Sequence, residues 1–255
     1  MRRRPAFAFT LVELLVVIGV IAVLVALLLP SMKEARRQAV RVKCAAHMRQ
    51  IGAAVAMYAG EHKGAIPIAF RYPADGWPHG YHWFSHLAPY VQKGVSEDEI
   101  AGSRDASVLW GCPQWERDPR PWTDNGFHWG ISWKIGYGYN ALPQAPQRPT
   151  PEPTDSMLIN PVAAKGRYFK LSEIRHHSDR GMVADAREIF VCVYYPWDPT
   201  VPVERQQFSH LDPTRHGGWK QTGGCNVLFY DGHVSALSPR ELYYAFGDPI
   251  RSDPP

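Results

Sequence analysis

Residues 9–30 read FTLVELLVVIGVIAVLVALLLP, and this stretch indicates the fold class. From Leu14 to Leu29 there are sixteen consecutive residues without a charge or a strongly polar group. The stretch from Phe9 to Leu29 would form a helix about 32 Å long, at roughly 1.5 Å per residue. That length matches the hydrocarbon core of a bilayer, which is about 30 Å thick. The segment therefore predicts one membrane-spanning helix.

The flanks of this segment indicate how it is used. Three arginines, Arg2 to Arg4, precede it, as in the basic start of an export signal. The segment ends in Leu-Leu-Leu-Pro-Ser-Met, which lacks the small-x-small pattern of an ordinary signal cleavage site. We therefore expect the apolar helix to remain in the mature protein. Counting the basic residues from Lys33 to Lys43 would place the C-terminal side in the cytoplasm.

Glu13 is an acidic residue near the start of the apolar helix. A carboxylate at this depth costs roughly a few kcal/mol on membrane-insertion scales. One interpretation is an interfacial side chain that reaches the lipid headgroups. The other is a carboxylate that pairs with a positive group in the lipid, such as a free α-amine of Phe9 on a neighbouring chain. The second interpretation requires a cut between Ala8 and Phe9.

An Arg-rich start and the small residue Ala8 precede Phe9-Thr10-Leu11-Val12-Glu13, and the apolar run follows. This arrangement resembles the leader of type IV prepilins and type II secretion pseudopilins, which usually have Gly where this chain has Ala8. The resemblance implies that a prepilin peptidase cuts before Phe9 and methylates the new amine, and that Glu13 guides assembly. It also implies a leader in the cytoplasm and a body outside, the orientation that we adopt.

The chain beyond the apolar segment continues with an amphipathic helical pattern. Apolar residues recur at spacings of three or four, which places them on one face of a helix. Gly60, Gly64 and Pro67 then predict the end of this helix. We expect the apolar stripe to face a globular head. The stripe consists of Val40, Cys44, Met48, Ile51, Val55 and Tyr58.

The remaining residues predict a head with β-structure and long loops. Gly181–Asp185 and Phe190–Tyr195 have strand patterns, and Asn226–Val234 predicts a hairpin that turns at Asp231-Gly232. The predicted fold is α+β and pilin-like, with a long N-terminal helix packed on an antiparallel β-sheet head. The predicted segments are a leader at 1–8, a transmembrane and assembly helix at 9–30, an amphipathic extension at 31–63 and a globular head at 64–255.

The four cysteines are Cys44, Cys112, Cys192 and Cys225, and no pair has CxxC spacing. Sequence by itself allows three pairings of four cysteines. The stretch Trp110-Gly111-Cys112-Pro113 resembles a head motif of large-headed pseudopilins, in which a Cys-Pro follows the cysteine of the helix. The resemblance implies a disulfide between Cys44 and Cys112, with two free thiols as the alternative. We also expect a Cys192–Cys225 pair across the sheet.

The spacing of His216 and Asp231-Gly232 resembles the C-terminal domain of a pseudopilin group that is named for a His separated by nine residues from Asp-Gly. Here residues 217–230 separate them, which indicates an insertion of five residues. His216, Asp231 and His233 have the chemistry of metal ligands, but a turn aspartate and a bracing histidine explain them more simply. We therefore expect no metal site there.

No nucleophile motif, phosphate-binding loop or dinucleotide fingerprint occurs in the chain, so we expect neither an enzyme nor a cofactor. A structural calcium in the head stays open, because Asp118, Asp124 and Asn125 offer oxygen ligands. Without the three leader arginines the net charge is 25 − 24 = +1. That charge gives no electrostatic basis for binding nucleic acid.

The resemblance to prepilins and pseudopilins implies a structural subunit of a pseudopilus or type IV pilus-like filament. It would lie in the inner membrane as a single-pass protein with its head on the periplasmic side. Its partners would be prepilin peptidase, other pilin subunits and the membrane, with secreted cargo or a glycan at the head. The alternative is a permanently membrane-anchored binding module. Five tryptophans between Trp110 and Trp133 motivate that alternative, although filling a core is the simpler explanation for them.

Overall fold

The chain forms two compact units, Met1–Ala39 and Val40–Pro255, in a computed structural model. The first helix, α1 (Leu11–Glu61), contributes residues to both units. The boundary at Val40 lies inside the segment predicted as the amphipathic extension. The structure describes residues 10–71, 81–91, 108–110, 112, 136–140, 169–186, 190–191, 200, 211–212, 215–216 and 224–246.

The part of α1 in the second unit carries the predicted apolar stripe. Its side chains from Cys44 onward recur every three or four residues and are buried, which confirms the prediction. Val40 is partly buried against the same core. The buried residues of this helix are Cys44, Met48, Ile51, Ala54, Val55, Tyr58 and Ala59.

The helix ends where the glycines predict. The Gly64 N–H donates to the carbonyl oxygen of Ala59 at 2.8 Å, a bond that closes the last turn of a helix. The chain there passes through Lys63 with φ 56° and Gly64 with φ 84°, both in the left-handed region. This turn satisfies carbonyls that a helix end would otherwise leave unpaired.

Within the described residues, the main sheet of the head has five strands in the order β5-β3-β4-β6-β7. Four of them, β3, β4, β6 and β7, are antiparallel neighbours, so the predicted α+β arrangement with a long helix is confirmed. The fifth, β5, pairs with β3 and not with β4, because β3 and β6 already occupy both edges of β4, and the β3–β5 pair is parallel. The strands are β3 (Tyr137–Asn140), β4 (Gly181–Asp185), β5 (Phe190–Val191), β6 (Cys225–Phe229) and β7 (Val234–Leu237).

Smaller elements also belong to the described part of the head. Two short strands pair with each other, and the second leads directly into a helix. Another helix follows the last strand of the main sheet. These elements are β1 (Phe70–Arg71), β2 (Tyr81–His82), α2 (Trp83–Val91) and α3 (Pro239–Phe246).

Both faces of the main sheet are covered, and the alternation of strand side chains divides the core in two. On one face, Leu228 packs in the cluster that includes the buried side chains of α1. A Cβ built on Gly52 would lie 3.1 Å from Leu228 Cδ1, so the helix backbone approaches β6 closely. On the other face, Val227 and Phe229 pack with Leu242 of α3. Strands buried on both faces are nearly continuously apolar, as β4 and β6 are.

The β6–β7 hairpin turns at the predicted Asp231-Gly232. The Gly232 N–H donates to Phe229 O at 3.0 Å, and Gly232 has φ 91°, a conformation that glycine adopts without steric cost. Asp231 Oδ1 accepts the N–H of His233 at 3.0 Å. The predicted hairpin and its turn are therefore confirmed.

Candidate functional site

The first candidate site is the start of α1 in the first unit. The Thr10 N–H and Thr10 Oγ1 donate to Glu13 Oε2 at 2.9 and 2.7 Å, and the Glu13 N–H donates back to Thr10 Oγ1 at 3.2 Å. This reciprocal pair is a capping box, which satisfies N–H groups that a helix start leaves unpaired. The Glu13 carboxylate therefore has hydrogen-bond donors within its own chain.

The rest of this segment presents an apolar surface. Every large apolar side chain from Leu11 to Leu29 is exposed in the single chain, between 46% and 76% of its full area. The helix is long and apolar enough to cross a membrane, by length and composition. Exposed apolar area of this size is unfavourable in water and favours contact with lipid or with other apolar helices.

The second candidate site lies in the head, around the bond that joins Cys44 to Cys112. The two cysteines form a disulfide with their Cα atoms 5.1 Å apart, as the resemblance implied. Both are buried, with at most 1% of either residue exposed. The bond joins α1 to a segment that follows it by 68 residues, so it closes a long loop of the head.

A buried aspartate–histidine pair lies beside this disulfide. His216 Nε2 is 3.3 Å from Cys112 Sγ and 3.1 Å from Asp185 Oδ2. Asp185 Oδ2 also accepts the backbone N–H of Asn226 at 2.8 Å. One ligand-type atom from each of Cys44, Cys112, Asp185 and His216 lies within 4.8 Å of all the others.

The strands and a buried ion pair hold His216 in this position. Arg215 Nε lies 3.1 Å from Asp212 Oδ2, and Arg215 Nη2 donates to Ala186 O at 2.5 Å, at the end of β4. The His216 N–H donates to Gly224 O at 2.8 Å. Residues 217–223, which contain the predicted insertion, therefore lie between two hydrogen-bonded ends. The side chain of His216 keeps a defined place in spite of the longer spacing.

The other residues of the C-terminal motif lie elsewhere. Asp231 is on the exposed hairpin turn, where its Oδ1 is 2.6 Å from His233 Nδ1. Partial burial acts to raise the pKa of Asp231, but the hydrogen bonds from the His233 backbone N–H and ring outweigh it and hold that pKa below its ordinary value. His216 is instead buried beside the disulfide, so the three residues weighed as metal ligands belong to two separate groups.

The second predicted disulfide is not formed. Cys225 is a free, buried cysteine on β6, and its Sγ donates to Asp185 O at 3.6 Å instead of meeting another sulfur. Burial, followed by the nearby charge of Asp185, raises the pKa of the Cys225 thiol well above its ordinary value. A thiol in that state is unreactive. Its predicted partner Cys192 lies outside the described residues.

Other predicted residues also lie outside the described part of the chain. They include Ala8 and Phe9 at the proposed cut. The same holds for the oxygen donors considered for calcium and for the side chains of the tryptophan group. Those residues are Asp118, Asp124, Asn125, Trp115, Trp122, Trp129 and Trp133, whereas only the backbone of Trp110 is described.

Asp185 is a member of this site that was not predicted. Its segment, Gly181–Asp185, was predicted only as a strand. An aspartate at the end of an apolar strand could have indicated a site, because a buried aspartate requires hydrogen-bond partners or a positive charge.

His82 and His86 have helical spacing in the sequence. They do not share a helix, since His82 belongs to β2 and His86 to α2.

Comparison with known families gives one match. A family model described as the prokaryotic N-terminal methylation motif matches residues 3–29. This match confirms the prepilin-type start that the sequence predicted. No curated protein and no solved structure matches the chain.

Proposed function

We propose that this protein is a type IV pilin-like structural subunit, of the pseudopilus kind, that assembles into a filament of the bacterial envelope. The match of the methylation motif to residues 3–29 carries the proposal. The motif covers the basic start, the residues around the proposed cut and most of the apolar helix. The proposed role is structural, and the proposal assigns no catalytic residue.

The exposed apolar face of α1 supports assembly through this helix. Its side chains from Leu11 to Leu29 are exposed in the single chain, so they must be covered elsewhere. Lipid covers them before assembly, and the same helices of neighbouring subunits cover them in a filament. Burial of apolar area is worth roughly 25 cal/mol per Å² when that area leaves water.

Glu13 supports a defined register between subunits. In the single chain its carboxylate is bonded to Thr10 at the helix start. Cleavage after Ala8 would create a positive amine at Phe9, the residue directly before Thr10. A neighbour's amine would then offset the cost of a carboxylate in an apolar bundle, which is high when the charge is unpaired. We propose this intermolecular pair as the element that sets the stagger.

The disulfide supports a head outside the cytoplasm. Disulfides form and persist in oxidising compartments and are rare where thiols are kept reduced. The Cys44–Cys112 bond belongs to the second unit, so this unit would face the periplasm with the leader in the cytoplasm. This proposed orientation is the opposite of the one that the basic residues from Lys33 to Lys43 favour.

The first test is the intact mass and N-terminal residue of the protein extracted from its native membranes. A chain that begins with N-methyl-Phe9 is the expected result and establishes processing. A chain that still begins near Met1 would contradict the proposal. It would favour a permanently anchored binding head. The next step would then be a search for a glycan or protein that binds the aromatic residues of the head.

The second test separates the two roles of Glu13. We expect Glu13→Ala to insert into the membrane normally and to lose assembly, measured by crosslinking of membrane-embedded subunits. The matched control is Thr10→Ala, which removes the capping hydroxyl, at a cost of about 1 kcal/mol, and keeps the carboxylate. We expect that control to assemble. Normal co-assembly of Glu13→Ala with wild-type subunits would refute the pairing.

A further inference from the structure

The disulfide, Asp185 and His216 form a compact set of metal-ligand atoms in the head. Two sulfurs, one imidazole nitrogen and one carboxylate oxygen lie within 4.8 Å of one another. All four residues are buried, and they come from α1, the segment around Cys112, the end of β4 and the segment before β6. Four donors are the number of ligands in a closed structural zinc centre.

The distances in this set are close to those of a zinc centre. Zinc bonds of roughly 2.0–2.3 Å in a tetrahedron place neighbouring ligand atoms about 3.3–3.8 Å apart. His216 Nε2 already lies 3.3 Å from Cys112 Sγ and 3.1 Å from Asp185 Oδ2. The change required is separation of the two sulfurs after the disulfide opens, with small shifts of the other donors.

The unpartnered Oδ1 of Asp185 indicates that the pair is incomplete. Asp185 Oδ1 and His216 Nδ1 are buried and have no hydrogen-bond partner among the residues that the structure describes. Leaving buried polar atoms unsatisfied costs free energy. A cation held by Asp185 Oδ1 and His216 Nε2 would give that carboxylate oxygen its partner. The Nδ1 atom of His216 lies on the opposite side of the ring, so the cation does not account for it. The Asn226 N–H, which donates to Asp185 Oδ2 at 2.8 Å, would orient that ligand from outside.

We propose that the dithiol form of the head binds one zinc ion through Cys44, Cys112, His216 and Asp185, and that metal and disulfide exclude each other. Binding converts both thiols to thiolates and releases two protons. In oxidation, the two thiolates lose two electrons to a disulfide oxidant, which takes up two protons and leaves as two thiols, and the zinc ion is released. The bound metal would hold α1 and the Cys112 segment together before the covalent bond forms.

The experiment uses the full chain in detergent, reduced by a water-soluble trialkylphosphine. The phosphine takes an oxygen atom from water as the disulfide becomes two thiols, so no competing thiol is added. We expect the reduced chain to bind one Zn²⁺, and Co²⁺ in its place to show the visible absorption of a tetrahedral site with thiolate charge transfer. The disulfide form should bind neither ion at this place.

Variants decide whether these four residues form the site. We expect His216→Ala to weaken zinc binding at least about 100-fold, since loss of an outer-shell partner by itself costs roughly 10–100-fold. The matched control is His233→Ala, which removes the histidine of the exposed aspartate–histidine pair and should leave the affinity unchanged. Circular dichroism of each variant in its disulfide form establishes that it folds.

Three results would overturn the proposal. The first is a reduced chain that binds no more zinc than the disulfide form. The second is an affinity that His216→Ala leaves unchanged. That result would also follow if reduction unfolded the head, because free thiols bind zinc without regard to His216. The third is a cobalt spectrum without thiolate bands. None of these results depends on filament assembly, so this proposal and the proposed function can fail separately.

Discussion

Single residues set both ends of α1 through local hydrogen bonds. Thr10 and Glu13 satisfy the first N–H groups, and Gly64 closes the last turn on Ala59. The backbone is strained just after the end of the helix, because Lys63 adopts φ 56°. Left-handed backbone costs an L-residue with a Cβ roughly 1–2 kcal/mol, and glycine avoids this cost.

We therefore predict that Lys63→Gly raises the free energy of unfolding of the head by about 0.5–1 kcal/mol. This gain is smaller than the cost of the strain, because glycine also increases the conformational freedom of the unfolded chain. Urea unfolding of the full chain in detergent, followed by tryptophan fluorescence, measures it. The matched control is Gly64→Ala. A Cβ there meets nothing within 4 Å, so its φ of 84° is the expected cause of a loss. Changes of the same sign in both variants would contradict this account.

At the level of elements, the tightest surroundings of any described glycine are those of Gly181, where β4 meets α3. A Cβ built on Gly181 would lie 2.5 Å from the ring atom Cζ of Phe246. The approach of α1 to β6 is looser, since a Cβ on Gly52 would lie 3.1 Å from the end of the flexible Leu228 side chain. Glycine at 181 therefore lets the helix pack flat on the sheet.

We predict that Gly181→Ala lowers the free energy of unfolding by about 1–3 kcal/mol, as overpacking of a core does. Phe246→Leu should relieve the clash, so the double variant should lose less than the sum of the two single losses, by at least about 0.5 kcal/mol. Gly52→Ala is the milder comparison. Additive losses at positions 181 and 246 would show that this contact does not limit the packing.

At the level of the whole molecule, the Cys44–Cys112 disulfide joins α1 to the head across 68 residues. A loop of this length restricts the unfolded chain strongly, by roughly 4 kcal/mol on the chain-entropy model. Cys44 belongs to the buried stripe of α1, so the disulfide and the packing of that stripe stabilise the same part of the helix.

We predict that replacing both cysteines, as Cys44→Ser with Cys112→Ser, lowers the free energy of unfolding by about 2–4 kcal/mol without added metal. Denaturant unfolding under oxidising conditions measures the loss. Cys225→Ala is the matched control, because its thiol is free, and it should keep the full response to reduction. A loss under about 1 kcal/mol in the double variant would mean that the bond contributes little to the fold.

Much of the architecture was predictable from short stretches of sequence. The amphipathic spacing predicted the buried face of α1, and Gly181–Asp185 and Asp231-Gly232 were predicted as a strand and a turn. The Cys192–Cys225 pairing was wrong, since the Cys225 side chain points to the end of β4. Which sulfur a strand cysteine meets depends on the register and face of the sheet, and no local pattern determines these.

The sequence by itself determined the apolar helix, the methylation motif, the helix ends and the hairpin turn. Each depends on residues within a few positions of one another, so local spacing and backbone preference suffice. The tertiary structure decided that Asp185 and His216 meet the disulfide, and that Cys225 stays free. These residues come from separate segments, and they meet because β4 pairs with β3 and β6 and because α1 packs across the same sheet.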